Sequence, residues 1–284
     1  MAITLDGSAA TGTGNRANPS ATITTSNSND ILVAFIFSDV RTTSFPPAGN
    51  VTSVTDNNSL TWTKHKQLQY TTTSAGNSTN DVEIWWALAS SPQSSNTVTV
   101  NGDAAFKDDN TGVIIQGFTG CNTSTPFDAN AAIPTTGNTS VSSAPSVSSV
   151  STTNASDMLL FFSFSSNNAS VPSDQTSVTF GGVSGTILSN LQAVAATQNT
   201  KGSVGYLSVA SAQSGITYAF NVSDANWAAI ATALQAAGGA AAPLRLNSNL
   251  DGLSASGGFF RDPLARVMLG WRKRATLWLP ERFA

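Results

Sequence analysis

Apolar residues come in short runs along the first half of the chain, broken by Asn, Gly, Asp, Ser and Pro. They predict seven strands, at Ala21–Thr25, Ile31–Phe37, Val51–Thr55, Leu60–Leu68, Val82–Ala89, Thr97–Val100 and Val113–Phe118. Short strands at this spacing, separated by turn formers, point to an antiparallel sandwich. Two runs, Ile31–Phe37 and Met158–Phe164, are almost continuously apolar rather than alternating. A strand covered on both faces reads that way, so these two are expected at the centres of their sheets. Leu32, Phe35, Phe37, Leu160, Phe162 and Phe164 should then anchor the core, each contributing about 1.5–3 kcal/mol on burial.

The pattern also repeats. Asn27-Ser-Asn-Asp-Ile-Leu-Val-Ala-Phe35 matches Asn154-Ala-Ser-Asp-Met-Leu-Leu-Phe-Phe162 at an offset of 127, and Ser53-Val-Thr55 matches Ser177-Val-Thr179 at 124. Ile84–Val100 matches Val204–Phe220 at 120, pairing Gln93 with Gln213, and Asp108–Ile115 falls on Asp224–Ala231 at 116. A falling offset with retained strands means a duplication whose second copy lost loop residues. The repeat decides one ambiguous segment. Alanine-rich Trp227–Ala237 has helical propensity, but its counterpart Gly112–Phe118 is Val- and Ile-rich, so a strand is expected.

The expected fold is therefore all-β: a large antiparallel β-sandwich, jelly-roll-like, built from an internal duplication. Its body is residues 21–238, with copies at about 21–120 and 145–237. Residues 1–20 read as an N-terminal arm holding one short strand at Ile3–Leu5, and 239–284 as a basic, aromatic-rich C-terminal arm. Two arrangements remain open: one interlocked sandwich of about a dozen strands, which is favoured, or two tandem seven-stranded sandwiches. The joining segment 119–150 contains Pro126-Phe127-Asp128, read as a non-repetitive element able to cross between sheets.

Composition narrows the function classes. Only 10% of the 284 residues are charged, so polarity is carried by hydroxyls and amides, which suits pleated faces and turns. The single cysteine, Cys121, is expected as a buried small hydrophobe. The chain opens without a basic, apolar leader, so secretion by the classical route is not expected. The run from Ala225 to Leu244 is too interrupted by polar residues, Gly and Pro for a membrane span, so no membrane association is expected. Residues 1–240 carry six basic and thirteen acidic side chains, a net −7, whereas 241–284 carry seven and three, a net +4.

Candidate chemistry is sparse. His65 in Trp62-Thr-Lys-His-Lys66 is the only histidine and lacks a second ligand or base, so it reads as a surface strand residue. No Gly-x-Ser-x-Gly elbow, phosphate loop or dinucleotide fingerprint occurs, and neither catalytic residues nor a cofactor or metal are expected. Asp81 and Glu83 lie two apart on one strand face, and Asp103, Asp108 and Asp109 form the one conceivable calcium cluster. Asp30, Asp157 and Asp224 sit in turns, where an Asp usually bonds its own backbone. The adjacent Trp85 and Trp86 must point to opposite faces of their strand. Only Trp86 has an aromatic counterpart, Tyr206, so Trp86 is expected inward, leaving Trp85 outward as a candidate glycan contact.

In the C-terminal arm, Phe259, Phe260, Arg261, Arg266, Met268, Trp271, Arg272, Lys273, Arg274 and Trp278 interleave apolar and basic side chains. Such a segment calls for a partner surface. With the remainder of the chain acidic, a protein surface is expected in preference to nucleic acid.

The strand set Val51–Asp56, Leu60–Thr63, Val82–Ala89, Thr97–Val100 and Val113–Gly120 followed by Pro126-Phe127-Asp128 resembles a β-sandwich module found in tailed-phage virion structural proteins and bacterial extracellular proteins. The resemblance covers roughly residues 20–238 and implies adhesive or structural work without an active site. With no leader and a basic, aromatic arm, the phage side is favoured. The expectation is a virion protein assembled in the host cytoplasm, a capsid decoration or a tail or fibre component. Its partners would be other virion proteins and further copies of itself, with a host-surface glycan possible. The alternative is a carbohydrate-binding or adhesive surface module.

Overall fold

Each half of the chain folds into a pair of antiparallel sheets, and the two pairs are stacked through their larger members. The computed structural model describes residues 2–41, 49–72, 78–107, 110–167, 171–194, 199–224 and 226–238. The first half supplies β1 (Thr4–Asn15), β2 (Ser20–Ile23), β3 (Asp30–Arg41), β4 (Val51–Asp56), β5 (Trp62–Thr72), β6 (Ser78–Ala89), β7 (Asn96–Gly102) and β8 (Asn110–Thr119). The second supplies β9 (Thr135–Thr139), β10 (Ser146–Val150), β11 (Met158–Asn167), β12 (Val178–Phe180), β13 (Val183–Ser184), β14 (Thr186–Val194), β15 (Asn199–Ser208), β16 (Ile216–Phe220) and β17 (Asn226–Leu234).

The first half forms a five-stranded sheet in the order β1-β8-β3-β6-β5 and a three-stranded sheet β2-β7-β4. The second half forms β14-β15-β11-β17-β9 and β10-β16-β12-β13. The ladders between these strands are antiparallel and stay within one half, so each copy closes its own sandwich, as in the tandem arrangement. Among the described residues no sheet draws strands from both copies. The copies interlock instead by packing, because three apolar layers separate four sheets.

The middle layer joins Phe35 and Phe37 of β3 to Phe162 and Phe164 of β11, with ring centroids 5.5 Å apart in both pairs. One outer layer holds Leu32, Ala34 and Ile36 with Val98 and Val100, and the other holds Leu159 and Phe161 with Tyr218 and Phe220. The continuous apolar runs are explained by this stacking. β3 and β11 are each third of five strands and point successive side chains into different cores, with Ile31 to Phe37 all at 0% exposure. Trp227–Leu234 likewise lies in β17, buried throughout, so tertiary burial overrides alanine's helical propensity.

The N-terminal arm is the largest departure from expectation. Residues 4–15 form a full edge strand that pairs with β8 from Thr4↔Thr119 to Asn15↔Asn110. Its counterpart β9 pairs with β17 and comes from the joining segment. Pro126-Phe127-Asp128 is part of the repeat after all: Phe127↔Leu234 matches Leu5↔Phe118, and Asp128 stands where Asp6 stands. Of the lead-in strands only Ile3–Leu5 is legible in the sequence, because β1 is otherwise rich in Gly, Ala and Thr and β9 is built from Thr, Gly and Asn. Edge strands with one solvated face need little hydrophobic signal. The segment after β8 meets the segment after β17 through Cys121↔Ala236; residues 239–284, including every arm residue named above, lie outside the described residues.

Candidate functional site

The repeat-equivalent turns Asn27-Ser-Asn-Asp30 and Asn154-Ala-Ser-Asp157 build two copies of one arrangement. Asp6 Oδ2 accepts hydrogen bonds from Ser26 N at 2.9 Å, Asn27 N at 2.7 Å and Asn27 Nδ2 at 2.9 Å. Asp128 Oδ2 accepts from Thr153 N at 2.8 Å, Asn154 N at 2.9 Å and Asn154 Nδ2 at 2.9 Å. Asn29 and Ser156 are both left-handed, with φ of 61° and 65°, which turns each chain sharply into its central strand. Asp30 and Asp157 do not close these turns, contrary to the expectation from sequence. Each is fully buried, no N–H or O–H donor among the described residues reaches either oxygen of its carboxyl, and it faces the carboxylate that closes the turn, Asp6 or Asp128.

Electrostatics follow from that contact. Two carboxyls in contact away from water cannot both ionise, so one of each pair keeps a proton. Burial, then the hydrogen bond and negative charge of Asp6, push Asp30 up to about 7. Burial and Asp128 push Asp157 up to about 8. For Asp6 and Asp128 burial acts upward, but the converging donors outweigh it and hold both carboxyls below their usual range.

The pairs flank a short seam where the two copies hydrogen-bond directly. Cys121 bridges Ala236, Ala237 N donates to Gly120 O at 2.8 Å, and Asn122 N donates to Gln235 O at 3.0 Å. Asp30 lies one residue before the Ile31↔Phe118 pair, beside one end of the seam, and Asp157 one residue before the Met158↔Leu234 pair, beside the other. Cys121 is buried, as expected, and burial, aided by Asp30, pushes its thiol up to about 12. A cleft of about 760 Å³ lies beside Asn27, Ser28 and Cys121. A second, of about 350 Å³, lies beside Asn154, Ser156 and Gln235.

The tandem tryptophans are reversed from expectation: Trp85 is 8% exposed inside the first sandwich, while Trp86 is half-buried at the margin of the middle layer. Aromatic retention at Trp86/Tyr206 could not tell the two faces apart, because both faces of the sheet are covered. At the Trp85 position the second copy has Gly205, and the space of its missing Cβ is filled by Val178 at 2.8 Å. Trp85 Nε1 donates to Glu83 Oε2 at 2.5 Å, and Glu83 also accepts from Val51 N and pairs with Lys64 at 2.9 Å. Asp81 lies against Glu83; burial and that neighbour push its carboxyl well above the usual range. The two acids are thus one buried polar cluster.

His65 is half-buried rather than fully exposed. A bulge in β5 between Lys64 and Lys66 turns it onto the second copy, where its ring stacks on Phe127 at 3.6 Å and its Nε2 meets Thr232 Oγ1 at 2.9 Å. Burial, then Lys66, push it down to about 4. Asp103 caps its own turn, accepting from Phe106 N at 2.7 Å, and holds Asn50; Asp108 and Asp109 lie outside the described residues. Among the described residues no group of three His, Cys, Asp or Glu is placed to hold a metal ion. Asp224 accepts from Ser165 Oγ at 2.7 Å and is pushed up by burial. Trp86 lines a shallow groove of about 410 Å³ with Leu60, Thr61, Thr63, Leu88 and Thr123.

Asp6 and Asp128 are the residues that sequence reasoning missed. The signal was present as an apolar–Asp pair, Leu5-Asp6 and Phe127-Asp128, ahead of each Asn-x-x-Asp turn. Comparison of the chain with protein-family models, curated proteins and solved structures finds no match.

Proposed function

We propose that the chain is a structural component of a tailed-phage virion, a capsid decoration or a tail or fibre component, assembled in the host cytoplasm. Its stacked body is the displayed part, and residues 239–284 attach it to neighbouring virion proteins or to further copies of itself. The observation that carries this reading is where the partner-binding chemistry lies. Among the described residues only Val141, Val171, Val183 and Val194 are exposed large hydrophobics, so the body offers no extended apolar surface. Residues 239–284 by contrast combine seven basic side chains with Phe259, Phe260, Met268, Trp271 and Trp278. The role is structural rather than catalytic, and it needs neither cofactor nor nucleic acid.

The test is removal of residues 239–284. The shortened chain should remain folded and cease to co-assemble with the particle; undiminished incorporation would refute the anchor. A second reading, glycan binding, passes from buried Trp85 to Trp86, whose ring borders a groove rimmed by threonine hydroxyls. Binding on a glycan array that disappears in Trp86→Ala would favour it over a purely structural role.

A further inference from the structure

The two copies have diverged at most positions around their sites. The buried Glu83 of the first is Ser203 in the second, and Trp85 is Gly205. The carboxyl pairs have not diverged: Asp6 with Asp30, and Asp128 with Asp157, keep three equivalent donors, a left-handed residue at the same turn position and near-complete burial. Holding the turn requires only the ionised acceptor, Asp6 or Asp128. An asparagine at position 30 or 157 would donate to it equally well, with no titration. A second carboxyl adds something an amide cannot: a bond that exists only while a proton is present.

Position gives that bond leverage. Asp6 stands near the start of β1 and Asp30 at the start of β3, one residue before the Ile31↔Phe118 pair. Asp157 immediately precedes β11, whose first residue, Met158, pairs with Leu234 two residues before Ala236. Each pair therefore ties a lead-in segment and a central strand to one side of the seam formed by Gly120–Asn122 and Gln235–Ala237. The charged and titratable groups facing Asp30 are Asp6 and Cys121; those facing Asp157 are Asp128 and Tyr218. None is a cation, and the Cys121 thiol and Tyr218 hydroxyl are both pushed up by burial, so among the described residues these neighbours would not neutralise a second carboxylate. The clefts bordered by Asn27 and Asn154 bring solvent to the turns.

We propose that the two carboxyl pairs form a matched, proton-operated clasp on the seam between the copies. With one proton in each pair, the turn, the lead-in segment and the seam are held together. Loss of the proton places two carboxylates in contact in a buried site, and both ends of the seam loosen together. The seam immediately precedes Gly238, so the loosening falls where the chain continues into residues 239–284.

Amide hydrogen exchange on the full-length chain tests this between pH 6 and pH 9, with rates corrected for the base-catalysed rise in intrinsic exchange. Peptides covering 25–31, 118–123, 151–158 and 233–238 should lose protection together, by about tenfold, the equivalent of one pKa unit of coupling. β7 should not change. In Asp30→Asn/Asp157→Asn the four segments should keep their protection at pH 9. An equal response in β7 and the clasp segments, or an unaltered response in the double variant, overturns the proposal. Should that variant not fold, carboxyl-carbon NMR on the unsubstituted protein tests the clasp independently. Asp30 and Asp157 should titrate between pH 6 and 9, and titration of both below pH 5 overturns the clasp.

Discussion

At the scale of single residues, this molecule's core is set by how pairs of side chains divide space between two copies. Phe37 lies where a Cβ on Gly112 would come within 2.2 Å of its ring and one on Gly202 within 2.5 Å. One glycine is on the neighbouring strand and the other on the facing sheet, so this ring is fitted from both copies. Gly202→Ala should therefore lower stability by about 1–3 kcal/mol through overpacking. Phe37→Ala should lower it by about 3–5 kcal/mol through the cavity left behind; urea denaturation measures both. Trp85→Ala should fall in that second range, and Trp86→Ala well below it, since Trp86 keeps one side toward solvent.

The titrating residues predict an opposed pH dependence. Asp30 and Asp157 are protonated in the fold up to about 7 and about 8, whereas in the unfolded chain they ionise near 3.8. The stability they provide is full below that unfolded value and is lost as pH rises through the folded values, at no more than about 1.4 kcal/mol per pH unit for each group. His65, held down at about 4 against an ordinary 6.5, acts in reverse, its stability being lost as pH falls from 6.5 toward 4. Urea denaturation should therefore show the clearest decline between pH 6.5 and 8, and Asp30→Asn/Asp157→Asn should reduce it.

At the scale of elements, burial on both faces made some strands legible and others not. β3 and β11 announce themselves because every position meets an apolar core. β17 was recovered from an ambiguous alanine run only through its repeat partner. β1 leaves only the trace at Ile3–Leu5 and β9 none, since an edge strand needs backbone pairing more than side-chain burial. Yet β1 carries Asp6, so the candidate site was half legible: the Asn-x-x-Asp turns stood out, and the acceptors they wrap did not. β5 shows the same limit. Its bulge redirects His65 from solvent to the second copy, a displacement no alternation pattern records. Phe127→Ala should leave the His65 ring unstacked and return its pKa toward 6.5, which a proton NMR titration would show.

At the scale of the whole molecule, four stacked sheets give a body whose two halves share one apolar layer, so the copies should not unfold independently. A single cooperative transition is expected for the full chain in calorimetry, with calorimetric and van't Hoff enthalpies equal, whereas two separate transitions would mean that the middle layer contributes little to coupling. The sequence by itself determined the duplication, the all-β class, seven of the eight strands of the first copy and the two central strands, because these depend on local periodicity and on likeness between segments. Only the tertiary structure decided that each copy closes its own sandwich, that Trp85 and not Trp86 is enclosed, and that Asp30 and Asp157 face carboxylates from distant strands. The physical reason is common to all three. Each depends on which covered face meets which neighbour, and a chain whose strands are covered on both sides carries the same apolar pattern whichever neighbour it meets.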